Sequence, residues 1–276
     1  MTTQAQKATA FRALHQREGA FIIPNPWDAG TARLLTALGF EALATTSLGL
    51  ANTLGRVDGT GAVSRTEVLD NCARIAAATP LPVSADLENC YAHEPRAAAE
   101  LIRLAAEAGV VGGSIEDATG NADQPIYDFQ LAVERVHAAA EVARSLPFPF
   151  MVTARAENYL HGRRDLDDTI RRLQAFEKAG ADVLYAPGLR DLATMRIVVS
   201  SLAKPVNVVM SAADPAISAA QLAGIGVKRI SVGGALSRLA LAFFLKAARE
   251  MKEEGRFTWM TDTVPAKELS RLFRVS

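Results

Sequence analysis

An alternation repeated eight times constrains the fold most: a short run of apolar and β-branched residues, then a longer segment of helical period. The runs are FIIP (21–24), EALAT (41–45), LPVSAD (81–86), GGSIE (112–116), FMVTAR (150–155), DVLYA (182–186), PVNVV (205–209) and KRISV (228–232). PRAAAELIRLAAEAG, LDDTIRRLQAFEKAG and DPAISAAQLAGIG are among the helical segments between them. Four helices end in a residue followed by glycine, Leu38-Gly39, Ala108-Gly109, Ala179-Gly180 and Ile225-Gly226, the left-handed cap that returns the chain to a strand. Apolar strands joined by helices predict a parallel sheet covered on both faces. Eight repeats in 276 residues predict a (β/α)8 TIM barrel rather than an open doubly wound sheet. No linker divides the chain, so residues 1–276 are expected to form a single domain.

Composition narrows the partners. Thirty basic and thirty acidic residues cancel, and no basic run is long enough to suit a nucleic acid. The N-terminal segment lacks an apolar signal core, and no apolar stretch is long enough for a membrane span, so a cytoplasmic protein with a small-molecule partner is expected. Cys72 and Cys90 are too few for a disulfide framework.

In such barrels polar residues at strand ends face one mouth. Asp86 and Glu88 end the third run, Glu116 and Asp117 the fourth, Arg155 and Glu157 the fifth. Carboxylates from neighbouring strands suit a hard cation such as Mg2+, with Mn2+ as the alternative ion. Each acid taken singly reads equally well as a helix cap or rim salt bridge; gathered at one mouth they would repel unless a cation or substrate compensated them. Asp28 opens a helix, Thr45, Thr46 and Ser47 offer hydroxyls that cap or bind, and Asp58 precedes a glycine as turn residues do. For proton transfer Tyr91 is preferred over Cys90, which reads as a small packed residue, and over His93 and His161, which read as surface residues. Asn207 ends the seventh run and either touches a ligand or satisfies loop backbone.

GFEALATTSLGLANTLGRVDG, LPVSADLENCYAH, AGVVGGSIEDA and FMVTARAENYL, in that order and spacing, resemble the isocitrate lyase/phosphoenolpyruvate mutase superfamily from about residue 19 to about residue 190. The resemblance implies a Mg2+-dependent (β/α)8 barrel that cleaves or forms carbon-carbon or carbon-phosphorus bonds beside a 2-oxo acid, as a homotetramer exchanging its last helix. It makes residues 254–276 a C-terminal arm on a neighbouring subunit, in keeping with the apolar residues of LSRLALAFFLKAAREMKEEG and RFTWMTDTVPAKELSRLF. By resemblance Asp86 is the principal metal-binding aspartate, Glu88 stands where the family's DAD motif has its second aspartate, and Asp58 and Glu116 are outer acids acting mainly through water. Arg155 matches the arginine that binds the substrate carboxylate, and Thr46, Ser47 and Leu48 match the segment holding the 2-oxo acid's oxygens.

The chain departs from its relatives after the fourth strand, where EDATGNADQPIYD carries no cysteine, lysine or histidine. That argues against an isocitrate lyase of the usual kind and gives the mutases' loop element only a faint counterpart in Asn121. The oxaloacetate decarboxylases' histidine near the eighth strand falls at about Ala235. The resulting expectation is a lyase acting on a small 2-oxo or 2-hydroxy di- or tricarboxylic acid. A decarboxylase, a carbon-phosphorus enzyme and a 2-oxo acid binding protein without turnover are the alternatives. If a hydroxy acid is cleaved, Tyr91 must act as base through a lowered pKa.

Overall fold

A computed structural model describes residues 2–274 of the chain. All eight apolar runs form strands, each joined to the next by at least one helix: α1 (Gln4–Gln16), β1 (Phe21–Ile23), α2 (Ala29–Ala37), β2 (Leu43–Ala44), α3 (Ser47–Thr53), α4 (Arg65–Ala78), β3 (Val83–Ala85), α5 (Pro95–Glu107), β4 (Gly112–Glu116), α6 (Phe129–Ser145), β5 (Met151–Arg155), α7 (Leu166–Ala179), β6 (Val183–Tyr185), α8 (Leu192–Ser200), β7 (Val206–Val209), α9 (Ala219–Gly224), β8 (Arg229–Ser231), α10 (Ala235–Glu254) and α11 (Ala266–Phe273). The strands are parallel in the order β1-β8-β7-β6-β5-β4-β3-β2. Across the seam the Ala44 N–H donates to the Pro24 carbonyl at 3.1 Å, which makes the sheet a (β/α)8 barrel.

All strands but β4 are one to three residues shorter than their apolar runs. Asp86, for example, lies just past the last ladder residue of β3, so its carboxylate is carried by backbone turning away from the sheet. The four helix-ending glycines, Gly39, Gly109, Gly180 and Gly226, all have positive φ, as a return to the next strand requires. Side-chain caps start most helices, including Asp28 on α2, Thr46 on α3, Ser64 on α4 and Asp165 on α7.

The main core lies between strands and helices, with Leu101, Ile102, Leu173 and Phe176 buried against β4 and β5 neighbours such as Ile115 and Val152. A second cluster closes the bottom of the barrel, where Ala8, Phe11 and Leu14 of α1 pack on Phe21, Ile23, Val111, Met151 and Val183. Gly112 permits that plug, because a Cβ there would lie 3.0 Å from the Phe11 ring. Burying a ring of this size contributes ~2–3 kcal/mol, so α1 belongs to the barrel and seals the end opposite the mouth.

The chain after β8 is different. α10 buries only Ser237 and exposes Leu239, Leu241, Phe243, Phe244 and Leu245. A 3-10 turn over Thr258–Asp262 follows, and α11 folds back onto α2, with Arg33 Nη1 donating to the Phe273 carbonyl at 3.2 Å. The end of the expected arm thus touches its own barrel, and its residues 275–276 lie outside the described residues. No helix among the described residues is long and apolar enough to cross a membrane.

Candidate active site

One line of strand register crosses five strands: Glu116 of β4 pairs with Arg155 of β5, then Tyr185 of β6, Asn207 of β7 and Arg229 of β8. Residues in register share a face of the sheet, so five polar side chains fall on the barrel's inner face. The row descends as it goes round. Glu116 and Arg155 are the last residues of their strands, and Arg229 is the first of its own.

Arg155 is the centre of the mouth. Its Nη1 lies 2.9 Å from Asp86 Oδ1, its Nη2 3.1 Å from Glu116 Oε2 and its Nε 2.8 Å from Glu157 Oε1. The guanidinium also lies over the Tyr185 ring, 5.3 Å from its centroid. Glu157 is fixed from behind. Its N–H donates to Asp117 Oδ1 at 2.7 Å, and Asp117 Oδ2 accepts from Arg172 Nη1 of α7 at 3.0 Å. Asp117, expected at the mouth with Glu116, is therefore a buried partner of Arg172, because adjacent strand residues face opposite ways.

Asp86 is held from three sides. The Ser47 N–H donates to its Oδ2 at 3.0 Å, the Ser114 hydroxyl to its Oδ1 at 3.4 Å, and its own N–H donates to Thr45 Oγ1 at 2.8 Å. Ser47 also stands near enough to Asp58 to lower its pKa, so Asp58 and Asp86 are both its neighbours. Thr46 accepts the Gly49 N–H at 3.3 Å as the cap of α3, and the Leu48 side chain packs on Gly234. Of that segment, only Ser47 bonds to the acids.

Glu88 and Tyr91 lie on a loop whose backbone is left-handed at Glu88, Cys90 and Tyr91, with φ of 49°, 59° and 55°. The fully buried Arg135 of α6 pins this loop by donating to the carbonyls of Asn89, Ala92 and His93. The Tyr91 hydroxyl donates to Glu88 Oε1. Burial pushes the Glu88 carboxyl up to about 6, aided by the charges of Asp86 and Asp58. The Tyr91 phenol is pushed up as well, by burial and by Glu88 beside it. Both effects run against the lowered pKa that a basic Tyr91 needs, because a phenol facing a carboxylate resists losing its proton. Cys90 is fully buried, and burial pushes its thiol up to about 12, so it packs rather than reacts.

Among the described residues, no group of three or more His, Cys, Asp or Glu side chains is gathered closely enough to hold a metal ion. Asp86, Glu88 and Glu116 do not converge on one point, because Arg155 stands between Asp86 and Glu116 while Glu88 turns to Tyr91. The donor chemistry nevertheless fits Mg2+. The acids offer only hard oxygen ligands, and Asp58, Glu88 and Glu116 are all pushed up, by burial first and also by neighbouring carboxylates, Glu157 on Glu116 and Asp86 on all three. One guanidinium leaves negative charge over, and a divalent cation would offset it.

Asn207 sits lower, accepting from Arg229 Nε at 2.8 Å and donating to Ser231 Oγ at 3.1 Å. Sequence reasoning missed Tyr185, Arg229, Arg135 and Arg172. For Arg229 a signal existed: it stands inside a strand run at the same parity as Ser231, opposite to Ile230, so the two polar residues of KRISV past Lys228 share one face.

The chain matches the phosphoenolpyruvate phosphomutase family over residues 11–252. An uncharacterized protein of Mycobacterium tuberculosis is 31% identical over 263 residues, covering 94% of each chain. An oxaloacetate decarboxylase of Ectopseudomonas mendocina is 28% identical over 250 residues, covering 88% of this chain and 84% of that one. Among solved structures, a protein of Burkholderia cenocepacia J2315 with the provisional label lyase/mutase superposes with a TM-score of 0.95 at 59% identity, covering 99% of this chain and 97% of that one.

Proposed function

We propose that this chain, which belongs to the phosphoenolpyruvate phosphomutase family of the isocitrate lyase/phosphoenolpyruvate mutase superfamily, is a Mg2+-dependent lyase that removes carbon dioxide from a short 2-oxo dicarboxylic acid. The observation that carries the reading is that the two groups weighed as proton carriers are engaged or enclosed: the Tyr91 hydroxyl donates to Glu88, and Cys90 is buried. Cleaving a 2-hydroxy acid requires a group that takes the hydroxyl proton. Decarboxylation of a 2-oxo acid requires none, and solvent suffices to protonate the product carbon. The similarity to an oxaloacetate decarboxylase along most of both chains supports the same chemistry.

Asp86 and Glu88 would hold the ion, with Glu116 and Asp58 reaching it through water. Bound there, Mg2+ would supply the positive charge that offsets negative charge developing on the carbonyl oxygen. Arg155 orients the substrate: three of its nitrogens face acids, and a guanidinium has five N–H donors, so two remain for the carboxylate beside the carbonyl. Glu157, Asp117 and Arg172 keep that guanidinium in place. Ser47 steadies Asp86 and Asp58, and Tyr91 holds Glu88 instead of moving a proton. The apolar face of α10 supports a homo-oligomer, taken from the family resemblance to be a tetramer.

The test is a product screen by mass spectrometry, in which 2-oxo and 2-hydroxy acids are incubated with Mg2+ and either wild type or Tyr91→Phe. The expected result is carbon dioxide loss from a 2-oxo diacid that persists in the variant at saturating Mg2+, with a weaker apparent affinity for the ion because Glu88 loses its partner. Cleavage of a 2-hydroxy acid that disappears in Tyr91→Phe would overturn the reading.

A further inference from the structure

Arg229 takes no part in the proposed function, and among the described residues it is a buried cation with an unpartnered nitrogen. It is 6% exposed, and among the described residues no carboxylate lies close enough to raise its pKa. Its one side-chain hydrogen bond is from Nε to Asn207 Oδ1, and its buried Nη1 has no partner. Asn207 is itself fixed by donating to Ser231, so the amide sets the direction of Nε and leaves the outer edge of the guanidinium uncommitted. A buried, unpaired guanidinium is costly, and the cost falls when an anion meets it. Burial lowers its pKa only to about 10, so Arg229 remains a cation at neutral pH.

The free edge has somewhere to act. Arg229 lines a cavity of about 60 Å3 inside the barrel, together with Asn207, Ser231, Tyr185, Asp86 and Arg155. A single water needs roughly 10–15 Å3 of such space, so the cavity admits a carboxylate and a short link and excludes a long chain. Arg155 stands at the top of this space and Arg229 deeper, at the start of β8.

We propose that Arg229, oriented by Asn207, is the subsite for the far carboxylate of a short dicarboxylic acid whose 2-oxo head lies at Arg155. The placement of the head rests on the function proposed above; the affinity of Arg229 for an anion does not. A free small anion such as chloride offers the same chemistry, and the subsite would hold it when no diacid is bound. Two guanidiniums in one short cavity select for two carboxylates, so the site discriminates against monocarboxylic 2-oxo acids and against diacids too long to fit.

Calorimetric titration with magnesium gluconate present tests this, using pyruvate and 3,3-difluorooxaloacetate, which share the 2-oxo acid head and differ by one carboxylate and two fluorines. Arg229→Met should weaken the diacid by about tenfold to a hundredfold, the range of a lost charge-assisted hydrogen bond, and leave pyruvate unchanged. Asn207→Asp places a carboxylate against Arg229 Nε and should give the same selective loss, which keeps the test decisive if the Met variant does not fold. Equal diacid affinity in a folded variant would overturn the subsite and leave the proposed function standing. Melting curves in sodium chloride against sodium gluconate give the second arm. Stabilisation of wild type by chloride that is lost in the variants supports the anion site even if neither 2-oxo acid binds, an outcome that would overturn the proposed function alone. Binding of neither acid together with no chloride effect would overturn both.

Discussion

Replacing Arg135 by methionine removes the clamp on the loop that carries Glu88 and Tyr91. Three non-glycine residues there, Glu88, Cys90 and Tyr91, are left-handed, and each such residue costs ~1–2 kcal/mol. Against that strain of roughly 3–6 kcal/mol stand the hydrogen bonds from Arg135 to the carbonyls of Asn89, Ala92 and His93. Methionine fills the space of the aliphatic stem and ends where Nε stood, so the change removes the donors together with the guanidinium's stacking on Tyr127. Relief of the buried charge offsets part of the loss, and leaving buried carbonyls without a charged donor gives a net destabilisation of roughly 3–5 kcal/mol. For a chain of this size that corresponds to about 6–10 °C in Tm. Thermal unfolding by circular dichroism measures it, and titration with pyruvate and Mg2+ on the folded variant reads out Glu88. Affinity should fall, because the loop no longer holds Glu88 beside the mouth. A Tm within 2 °C of wild type, by the same scale, with unchanged affinity would refute the view that Arg135 sets this loop.

The buried His15 makes stability depend on acid. Its Nδ1–H donates to the Phe11 carbonyl at 2.8 Å, and burial, with the charge of Arg229 next, lowers its pKa from 6.5 to about 3. The folded protein holds the neutral ring, so its contribution is complete above pH 6.5 and is lost as pH falls toward 3; at pH 5 the loss is about 2 kcal/mol. His15→Leu should flatten the fall in urea stability between pH 7 and 5 relative to wild type, and parallel curves would contradict the assignment. Cys90 should resist iodoacetamide at neutral pH in the folded protein, with Cys90→Ser as active as wild type; rapid alkylation that tracks loss of activity would show the thiol to be exposed and used.

The barrel was legible because its signal is repetitive. Eight apolar runs and four helix-ending glycines all point the same way, and an error of a residue or two at a strand end leaves the topology intact. Asp86, Glu116 and Arg155 could be placed together because strand ends converge on one mouth. What the side chains do there depends on competition that spacing does not encode. Arg155 has three acids within reach and takes all of them, so acids read as a cation site meet a guanidinium first. Tyr91 looked like a free hydroxyl, yet the left-handed turn folds it back on Glu88 three residues earlier. Arg229 escaped notice because an inward arginine in a buried strand breaks the apolar pattern used to find the strand, and breaks of that kind concentrate at sites with a function.

If Asp86 and its neighbours form the proposed metal-dependent site for 2-oxo acids, Asp86→Asn reveals it most directly. The substitution keeps the shape and the capacity to accept from Ser47 and removes the charge. Titrating pyruvate into wild type and variant, each with Mg2+ and again with EDTA, gives the deciding comparison. Binding by wild type is expected to require Mg2+, and the variant, folded and melting near wild type, is expected to show no Mg2+-dependent binding. Equal affinity in both proteins, with and without EDTA, would contradict it.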